Sequence, residues 1–466
     1  MRPMTLEQVA RATNGRIHAD ASTVVDAVAT DTRALKANGS AVLFAALRGE
    51  RFDGHDHAAA AAAGGVRALL VARELDVALP QVVVSDTTRA LADLAAAAQR
   101  DRAGKVVAIT GSNGKTSVKA LVLAILQRVG PTYANPGNRN NEIGLPLAVI
   151  DAPDDAEFAI YEMGAGKPGD IAYLTDVVRP DVSLVNNIAP AHLERMGSLL
   201  GVADTKAAIY DALPPGGVAA INADDAFAPF FAERAHGRRL LRFGIDGNAD
   251  IRARDIRAST GGDGGSRFVL ETPVGEAEVV LGLSGRHNVR NALAATALAL
   301  GAGAGLPEIV AGLQAARAVA GRLVAHRLPG GATLVDDSYN ANPGSLHAAI
   351  ETLASAGTPA WLVLGDMREL GGDAAALHAE AGRQARAAGI DRLYALGPLA
   401  AEAARAWGAQ ARVHGTHDAL VEALRTDLDA APKGLQVLVK GSRGSAMDRI
   451  VAALLASHGK GDADAA

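Results

Sequence analysis

Short apolar runs alternate with amphipathic stretches along nearly the whole chain. Apolar runs long enough for a buried strand stand at residues 41–45, 68–71 and 81–84, around an alanine-rich segment. Residues 88–100 follow with the apolar spacing of an amphipathic helix. The first hundred residues therefore predict a small α/β domain.

After a short polar segment the alternation continues with more deeply apolar strands. The buried-strand runs are residues 106–109, 158–161, 182–185 and 218–221. Each lies near a helical segment, which is typical of a mainly parallel sheet with helices on its faces. Residues 246–278 instead alternate apolar and polar positions around the glycine-rich turn 261–265, which predicts a β-hairpin excursion from this domain.

A third α/β region follows a predicted hinge at residues 317–321. Its strand runs are residues 333–336, 361–364, 392–395 and 437–439. Residues 457–466 are small and polar, so we expect a frayed end. The predicted domains are residues 1–103, 104–320 and 321–466.

Composition agrees with a globular protein of several domains. The 466 residues are 49% hydrophobic and 21% charged, and a chain of this length exceeds what one core usually organises. The net charge of −5 carries no basic block and aromatics are only 3%, which argues against nucleic-acid binding. There is no cysteine, no export-type N-terminus and no strongly apolar stretch of about 20 residues. We expect a soluble cytoplasmic monomer without membrane insertion.

Residues 106–116 read VVAITGSNGKT, a buried strand, a glycine-containing turn, and the start of an amphipathic helix. Amide groups of such a turn and helix start hold phosphate oxygens. Lys115 would reach the β- and γ-phosphates, and the Thr116 hydroxyl would ligate Mg²⁺. Ile109 stands where a strict P-loop has its first glycine, so a chance glycine-rich turn is the alternative. The candidate loop residues are Thr110, Gly111, Ser112, Asn113, Gly114, Lys115 and Thr116.

The TGSNGKT loop resembles that of the Mur ligase superfamily, and other segments choose within it. Folylpolyglutamate synthases share the loop but lack a muramoyl-nucleotide domain, whereas this chain has about 100 residues before the loop. Residues 336–343 read DDSYNANP, residues 364–371 LGDMRELG and residues 439–448 VKGSRGSAMD. These resemble the ligase that joins D-alanyl-D-alanine to a UDP-N-acetylmuramoyl tripeptide, so the resemblance spans nearly the whole chain.

The resemblance implies an α/β protein of three domains. A central P-loop-type ATPase domain with a mainly parallel sheet would lie between an N-terminal α/β substrate domain for the UDP-muramoyl group and a C-terminal Rossmann-like α/β domain. The last would close on ATP and bind the dipeptide. The activity implied is an ATP-dependent step of peptidoglycan precursor synthesis, and thus of cell-wall biogenesis, cell shape and division.

The resemblance also implies the metal ligands. Glu162, in YEMGAG, ends a predicted strand, where open α/β sheets place their ligands, and His192, in NNIAPAHLE, follows the next strand. With the Thr116 hydroxyl they would hold Mg²⁺ that shares oxygens with the substrates. Lys206, in GVADTKAAIY, matches the lysine that CO₂ converts to a carbamate in the family, and this carbamate would help hold a second Mg²⁺.

The remaining candidates also come from the resemblance. Near the nucleotide we expect Asn288, Asn291 and Arg322. The segment of residues 133–147, YANPGNRNNEIGLPL, contributes Asn138 and Asn141 toward the muramoyl peptide. The other substrate candidates are Thr32, Arg33, Arg48, Asp53 and His55 in the first domain and Asp337, Tyr339, Asn340 and Ser345 in the third. The spacing of His55, Asp56 and His57 matches no common zinc pattern, so no metal is expected there.

The mechanism implied is attack of the tripeptide carboxylate on the γ-phosphate, followed by attack of the dipeptide amine on the acyl phosphate. Lys115, Arg322, His192 and carbamylated Lys206 would be the catalytic residues. Two alternatives stay open from the sequence. One is the preceding Mur ligase, which adds the third amino acid, and the other is a noncatalytic P-loop regulator.

Overall fold

The structure is a computed structural model that describes residues 1–35, 40–190, 193–259 and 265–456. Its first part holds a five-stranded sheet in the order β2-β7-β6-β5-β4, in which only the β2–β7 pair is antiparallel. The elements are β1 (Met4–Thr5), α1 (Leu6–Thr13), β2 (Arg16–His18), β3 (Val24–Val25), β4 (Ala27–Ala29), β5 (Val42–Ala45), α2 (Ala58–Ala63), β6 (Ala68–Val71), β7 (Gln81–Val83) and α3 (Thr87–Arg100). β1 pairs separately with β3, so this part is a small α/β unit, as predicted.

The central part is built on a nine-stranded sheet, in the order β16-β15-β14-β13-β12-β11-β8-β10-β9. Its elements are β8 (Lys105–Thr110), α4 (Lys115–Leu126), β9 (Thr132–Ala134), α5 (Gly144–Asp151), β10 (Phe158–Glu162), α6 (Asp170–Val178), β11 (Val182–Val185), α7 (Leu193–Met196), α8 (Leu199–Asp211), β12 (Val218–Asn222), α9 (Ala228–Arg234), β13 (Arg239–Gly244), β14 (Ile251–Ala258), β15 (Ser266–Thr272), β16 (Gly275–Leu281), α10 (Arg286–Ala302) and α11 (Leu306–Ala315). All pairs from β9 to β14 are parallel, which confirms the mainly parallel sheet.

The predicted β-hairpin excursion is wrong in one respect. Three strands, not two, occupy this region, and they extend the central sheet instead of leaving it. β14 runs parallel to β13 from the Phe243–Ile251 pair, and β15 and β16 follow antiparallel. The alternating pattern arises because one face of this edge packs on α10 and α11 while the other is exposed. Most of the predicted turn at 261–265 lies outside the described residues.

The third part has a six-stranded sheet in the order β17-β18-β22-β19-β20-β21, of which only β17 is antiparallel to its neighbour. Its elements are β17 (Val324–Arg327), β18 (Thr333–Asp337), α12 (Pro343–Ser355), β19 (Ala360–Gly365), α13 (Ala374–Ala387), β20 (Arg392–Leu396), α14 (Ala400–Trp407), β21 (Arg412–His414), α15 (His417–Asp429), β22 (Gln436–Lys440) and α16 (Asp448–Ala456). Helices α12 to α14 share one apolar cluster with this sheet and α15 and α16 another, as in a doubly wound fold.

Contacts between the three parts bring their loops together. In the first contact α3 packs on α5, and the Arg102 guanidinium donates to the carbonyls of Val149 (2.7 Å) and Ala152 (2.6 Å). In the second, the Asn342 side chain before α12 donates to Asn113 Oδ1 in the turn after β8, at 2.7 Å. Both of these asparagines follow the carboxyl end of a strand, so the carboxyl-end edges of the two larger sheets, where such sheets bind ligands, face each other. Among the described residues, no helix is long and apolar enough to cross a bilayer.

Candidate active site

The turn between β8 and α4 has a backbone that only glycine fits easily. Gly111 and Gly114 have φ angles of +146° and +79°, and Gly114 directly precedes α4. A Cβ atom on Gly114 would stand 2.5 Å from Asn186 Nδ2 and 2.6 Å from Asn291 Oδ1. These contacts are closer than real Cβ atoms adopt, so the glycine of the predicted phosphate loop is required by space as well as by conformation.

Two asparagines after β11, missed as site residues in the sequence, hold this loop. Asn187 accepts from the Ser112 N–H through its carbonyl (2.9 Å) and from the Asn113 N–H through its side chain (2.8 Å). Asn186 donates to the Asn113 carbonyl at 2.9 Å. They follow a buried strand, which is the position that pointed to Glu162, so the same rule could have found them.

Lys115 begins α4 and lies across the loop. Its Nζ donates to the Gly111 carbonyl at 2.8 Å. Burial lowers the pKa of this lysine, the Glu162 carboxylate opposes that effect, and the Arg322 charge adds to it. Within the described part of the chain, Val118 is the first amide of the helix with an acceptor, Gly114 O, so the preceding first-turn amides are available to an anion.

Arg322 reaches this loop from the start of the third part. Its Nη2 donates to Thr116 Oγ1 at 3.0 Å, and its guanidinium lies 4.4 Å from the centroid of the Tyr339 ring. The Arg322 Nε is buried and has no hydrogen-bond partner among the described residues. The predicted phosphate-contacting arginine is therefore held at the loop with donor capacity left over.

A first cavity opens over the phosphate loop. Among the residues that line it are Asn113, Lys115, Asn288, Asn291, Arg322 and Asn340. The Asn291 amide donates to Asn288 Oδ1 (3.2 Å) and accepts from Asn186 (3.1 Å), so these predicted residues form one amide network beside Gly114. His287 also lines this cavity, and burial together with the charges of Lys440 and Arg290 lowers its pKa to about 4, so it is neutral at physiological pH.

A second cavity lies on the other side of Lys115 and Arg322, and its wall holds Asn138, Asn140, Asn141, Glu162, Tyr339 and Asn340. Glu162 ends β10, and Lys119 Nζ lies 3.2 Å from its Oε2 while the Asn140 amide donates to its Oε1 at 3.1 Å. Burial raises the pKa of Glu162, but the charges of Lys119 and Lys115 outweigh burial and lower it overall. Glu162 is therefore ionised, and both Lys119 and Asn140 were missed in the sequence.

Cationic side chains complete the second cavity. Lys167, Arg195 and Arg443 line it, and Arg443 lies 5.8 Å from the centroid of the Tyr339 ring. Tyr339 thus has two guanidiniums near its ring, because Arg322 contacts the same ring. With Lys115 and Arg322 these cations outnumber the acidic residues of the same wall, Glu142, Glu162 and Asp170, so the wall suits a ligand with carboxylates.

Two of the substrate candidates in the third part, Asp337 and Ser345, line the first cavity. Asp337 forms a buried ion pair with Lys440 at the ends of β18 and β22. Burial raises the pKa of Asp337, and the nearby Lys440 opposes that effect. In the cap of α12 the Ser345 hydroxyl accepts from the Asn342 backbone N–H at 3.1 Å, and the Ser345 N–H donates to the Asn342 side chain at 2.9 Å. Of the other two candidates in this part, Tyr339 lines the second cavity and Asn340 lines both.

The predicted metal ligands are only partly described. His192 lies outside the described residues. Thr116 and Glu162 adjoin the shared wall of the two cavities and offer the oxygen ligands that Mg²⁺ prefers. Asn186 Oδ1 is buried and accepts no hydrogen bond among the described residues, so it is a free oxygen that a cation could use, whereas the buried Glu162 Oε2 faces the Lys119 ammonium at 3.2 Å. In the same described part, no cluster of three or more histidine and acidic side chains forms a self-sufficient metal site.

Lys206 lies in α8 and is 2% exposed. Burial lowers its pKa from 10.5 to about 7, and the charge of Lys115 adds to this, while Asp170 opposes it. Lys206 is therefore a buried lysine whose amine is partly neutral near pH 7.

The predicted docking residues of the first domain surround Asp53. Its carboxylate pairs with Arg48 (3.4 Å), with Arg73 (3.2 Å) and with the His55 ring, and the His55 backbone N–H is the main cause of its lowered pKa. The other ring nitrogen of His55 accepts from the Ala72 N–H at 2.8 Å. With both nitrogens engaged and the ring buried, His55 is placed to support Asp53 rather than to contact a ligand.

The other two docking candidates lie in a short helical turn of residues 32–34. Arg33 is exposed and pairs with Asp31 at 2.7 Å, and Thr32 precedes it. Arg48 and Arg73 are likewise exposed guanidiniums of the first domain, and Arg73 was missed in the sequence.

Comparison with known proteins covers nearly the whole chain. Family models described as Mur ligase family, catalytic domain, as Mur ligase middle domain, and as Mur ligase, glutamate ligase domain match residues 25–103, 109–299 and 321–443. The UDP-N-acetylmuramoyl-tripeptide–D-alanyl-D-alanine ligase of Escherichia coli is 44% identical over 455 residues, which is 97% of this chain and 98% of that protein.

Solved structures agree with this comparison. A MurF crystal structure from Acinetobacter baumannii has a TM-score of 0.92 and 34% identity, covering 98% of this chain and 99% of that one. The MurF ligase of Thermotoga maritima in complex with ADP has a TM-score of 0.83 and 26% identity, covering 94% of this chain and 98% of that one.

Proposed function

The chain belongs to the Mur ligase family, and we propose that it joins D-alanyl-D-alanine to UDP-N-acetylmuramoyl-tripeptide at the expense of ATP. It is an ATP-dependent peptide ligase that uses ATP and Mg²⁺. The products are UDP-N-acetylmuramoyl-pentapeptide, ADP and phosphate, which makes the reaction a step in peptidoglycan precursor synthesis.

One observation carries the assignment of roles within the site. The two cavities share Lys115, Arg322 and Asn340, so a ligand in either can reach the same two cations. The first cavity has the phosphate loop and the amide network, and it is the proposed place of ATP. The second has amides and a cationic wall, and it is the proposed place of the peptide substrates. The γ-phosphate would then meet the tripeptide carboxylate beside Lys115 and Arg322.

The first chemical step brings two anions together. A carboxylate oxygen of the tripeptide attacks the γ-phosphorus, the bond to the β-phosphate oxygen breaks, and ADP leaves. Lys115 and Arg322 lower the repulsion and stabilise the charge on the transferred group. The Glu162 carboxylate is held by Lys119 and Asn140, and the Lys119 charge offsets its own. The result is an acyl phosphate of the tripeptide.

In the second step the dipeptide amine attacks the acyl carbon. The carbon–oxygen bond to phosphate breaks, an amide forms, and the proton that the amine loses leaves with the phosphate. Tyr339 and Asn340 belong to the third part and line the second cavity, so they are placed to orient the amine. Closure of the third part over both cavities would exclude water, which otherwise hydrolyses the acyl phosphate. Asn342 and Arg322 already join the third part to the loop.

Mg²⁺ would be held by the Thr116 hydroxyl and Glu162, and it supplies charge neutralisation for the phosphates when bound. We further propose a second Mg²⁺ and a carbamate on Lys206. Carbamate formation needs a neutral amine, and a pKa of about 7 makes much of the Lys206 amine neutral at physiological pH. A ¹³C NMR signal from labelled bicarbonate, absent in Lys206→Met, would support it. Full activity of Lys206→Met would contradict it.

The first domain is the proposed place of the UDP group, with Arg33, Arg48 and Arg73 offering guanidiniums to its diphosphate. Thr32 and Asp53 stay proposed contacts, as do Asn138 and Asn141 for the muramoyl peptide. Because ATP and the nucleotide precursor are both needed, we propose a cytoplasmic location. We also propose that the protein acts as a monomer, because all three parts contribute to one site within a single chain.

The assay is phosphate release by the purified protein with ATP, Mg²⁺ and UDP-N-acetylmuramoyl-tripeptide, with and without D-alanyl-D-alanine, followed by mass spectrometry of the product. Release that requires the dipeptide and yields the pentapeptide nucleotide is expected. Turnover only with the UDP-muramoyl dipeptide and a diamino acid would assign the chain to the preceding ligase. Nucleotide binding without any turnover would favour a regulator.

A further inference from the structure

Lys119 is a buried lysine with three oxygen partners. It lies one turn after Lys115 on α4, so the two lysines share a helix face. Its Nζ donates to the carbonyls of Asn135 (2.9 Å) and Gly137 (3.1 Å) and lies 3.2 Å from Glu162 Oε2. An ammonium has three donors, and here each of them has an oxygen within reach.

Lys115 is the other lysine that influences Glu162. The charges of Lys115 and Lys119 both favour the ionised form of this carboxylate, and Glu162 in turn favours the charged form of Lys115. Lys115 and Glu162 also line the same cavity. Lys115 is held by neutral carbonyls, Gly111 O at 2.8 Å and Ser112 O at 3.5 Å, which are weaker partners than a carboxylate.

A buried carboxylate that loses its cation is left uncompensated, which is strongly destabilising. Lys115 lines the same cavity as Glu162 and is the nearby cation whose own partners are only neutral carbonyls. Without Lys119, Glu162 would therefore draw Lys115 away from the loop. We propose that Lys119 is a positioning residue that satisfies Glu162 and so leaves Lys115 free for the phosphates of the nucleotide. This inference rests on the proposed function, because it takes the first cavity as the nucleotide site.

The test compares nucleotide affinity among variants, without metal, by calorimetry with the non-hydrolysable analogue AMP-PNP in the presence of a chelator. Lys119→Met should raise Kd at least tenfold, because Lys115 becomes paired with Glu162. The double variant Lys119→Met with Glu162→Gln should bind within threefold of Glu162→Gln alone, because the neutral amide does not capture Lys115. Lys105→Met, at an exposed lysine that begins β8, is the matched control and should bind as the unaltered protein does.

Two results would overturn the proposal. One is unchanged AMP-PNP affinity in Lys119→Met. The other is a loss that Glu162→Gln fails to restore, which would assign Lys119 to support of the segment at Asn135 and Gly137. Circular dichroism would show whether Lys119→Met folds. If Lys119→Met does not fold, the test is the comparison of the double variant with Glu162→Gln. A double variant that binds AMP-PNP tenfold more weakly than Glu162→Gln contradicts the proposal, and one that binds within threefold supports it.

A wrong role for Lys119 can be told apart from a wrong proposed function. An unaltered protein that binds no AMP-PNP and turns over no substrate would contradict the function. An unaltered protein that binds and turns over, with Lys119→Met equally tight, would contradict only the role of Lys119.

Discussion

Replacing Lys206 by methionine should stabilise the fold while it removes activity. The side chain is 2% exposed, and burial is the main reason that its pKa falls from 10.5 to about 7. Methionine fills a similar volume and carries no charge, so it removes the desolvation cost without leaving a large cavity. The same change removes the amine on which the proposed carbamate forms.

The magnitude follows from the two pKa values. Above pH 10.5 the amine is neutral in both the folded and the unfolded chain, and burial costs no charge. Between pH 10.5 and about 7 only the unfolded chain binds the proton, so the free energy of unfolding falls as the pH is lowered, by about 1.4 kcal/mol per pH unit. Below about pH 7 the cost is fully present, and the difference of about 3.5 in pKa corresponds to about 5 kcal/mol.

Urea unfolding at several pH values between 7 and 9.5, in buffers depleted of CO₂, would measure this effect. Lys206→Met should be more stable than the unaltered protein by several kcal/mol at pH 7, with the gap narrowing as the pH rises. Lys206→Arg keeps a charge at every pH and is the control that should not gain stability. A methionine variant that is less stable at pH 7, or a gap independent of pH, would refute the reasoning.

Three further substitutions test the site. Gly114→Ala places a side chain at a φ of +79°, which costs about 1–2 kcal/mol, and brings its Cβ atom against two asparagine amides. The KM for ATP should therefore rise at least tenfold, and an unchanged KM would contradict the close packing. Arg322→Lys keeps the charge but loses the planar contact with Tyr339, and kcat/KM for ATP should fall about tenfold; equal kcat/KM would show that charge alone suffices. Arg443→Ala removes a cation from the second cavity, so steady-state kinetics should show a higher KM for a peptide substrate and an unchanged KM for ATP; the reverse pattern would place Arg443 in the first cavity.

Elements with a local signal could be predicted from the sequence. The buried parallel strands appear as continuous apolar runs, and the phosphate loop combines a strand, a glycine turn and a helix start within eleven residues. The sequence pattern correctly predicted β-structure in the region of β14 to β16, but it did not predict that these strands extend the central sheet. Whether an alternating segment leaves a sheet or extends its edge depends on which strand it pairs with, here the preceding strand β13, and the alternating pattern does not record that pairing.

Side-chain partnerships were the least predictable part of the site. Lys119 looks like any polar residue in a helix, and its role depends on Glu162, 43 positions later in the chain. Lys440 ends a strand, where the rule that found Glu162 would apply, but its partner Asp337 is 103 positions away. The burial of Lys206 likewise depends on how α8 packs on β11 and α6, which its own sequence does not reveal. Such pairs become visible only when the sheets are assembled.

Transfer of an oxygen atom from the tripeptide to phosphate tests the central claim most directly, because the claim is that the two cavities bring the carboxylate to the γ-phosphate. UDP-N-acetylmuramoyl-tripeptide with an ¹⁸O-labelled acceptor carboxylate would be turned over with unlabelled ATP and D-alanyl-D-alanine, and the released phosphate analysed by mass spectrometry. The account predicts one ¹⁸O atom in each phosphate from fully labelled carboxylate. Phosphate without ¹⁸O, formed together with the pentapeptide nucleotide, would contradict it.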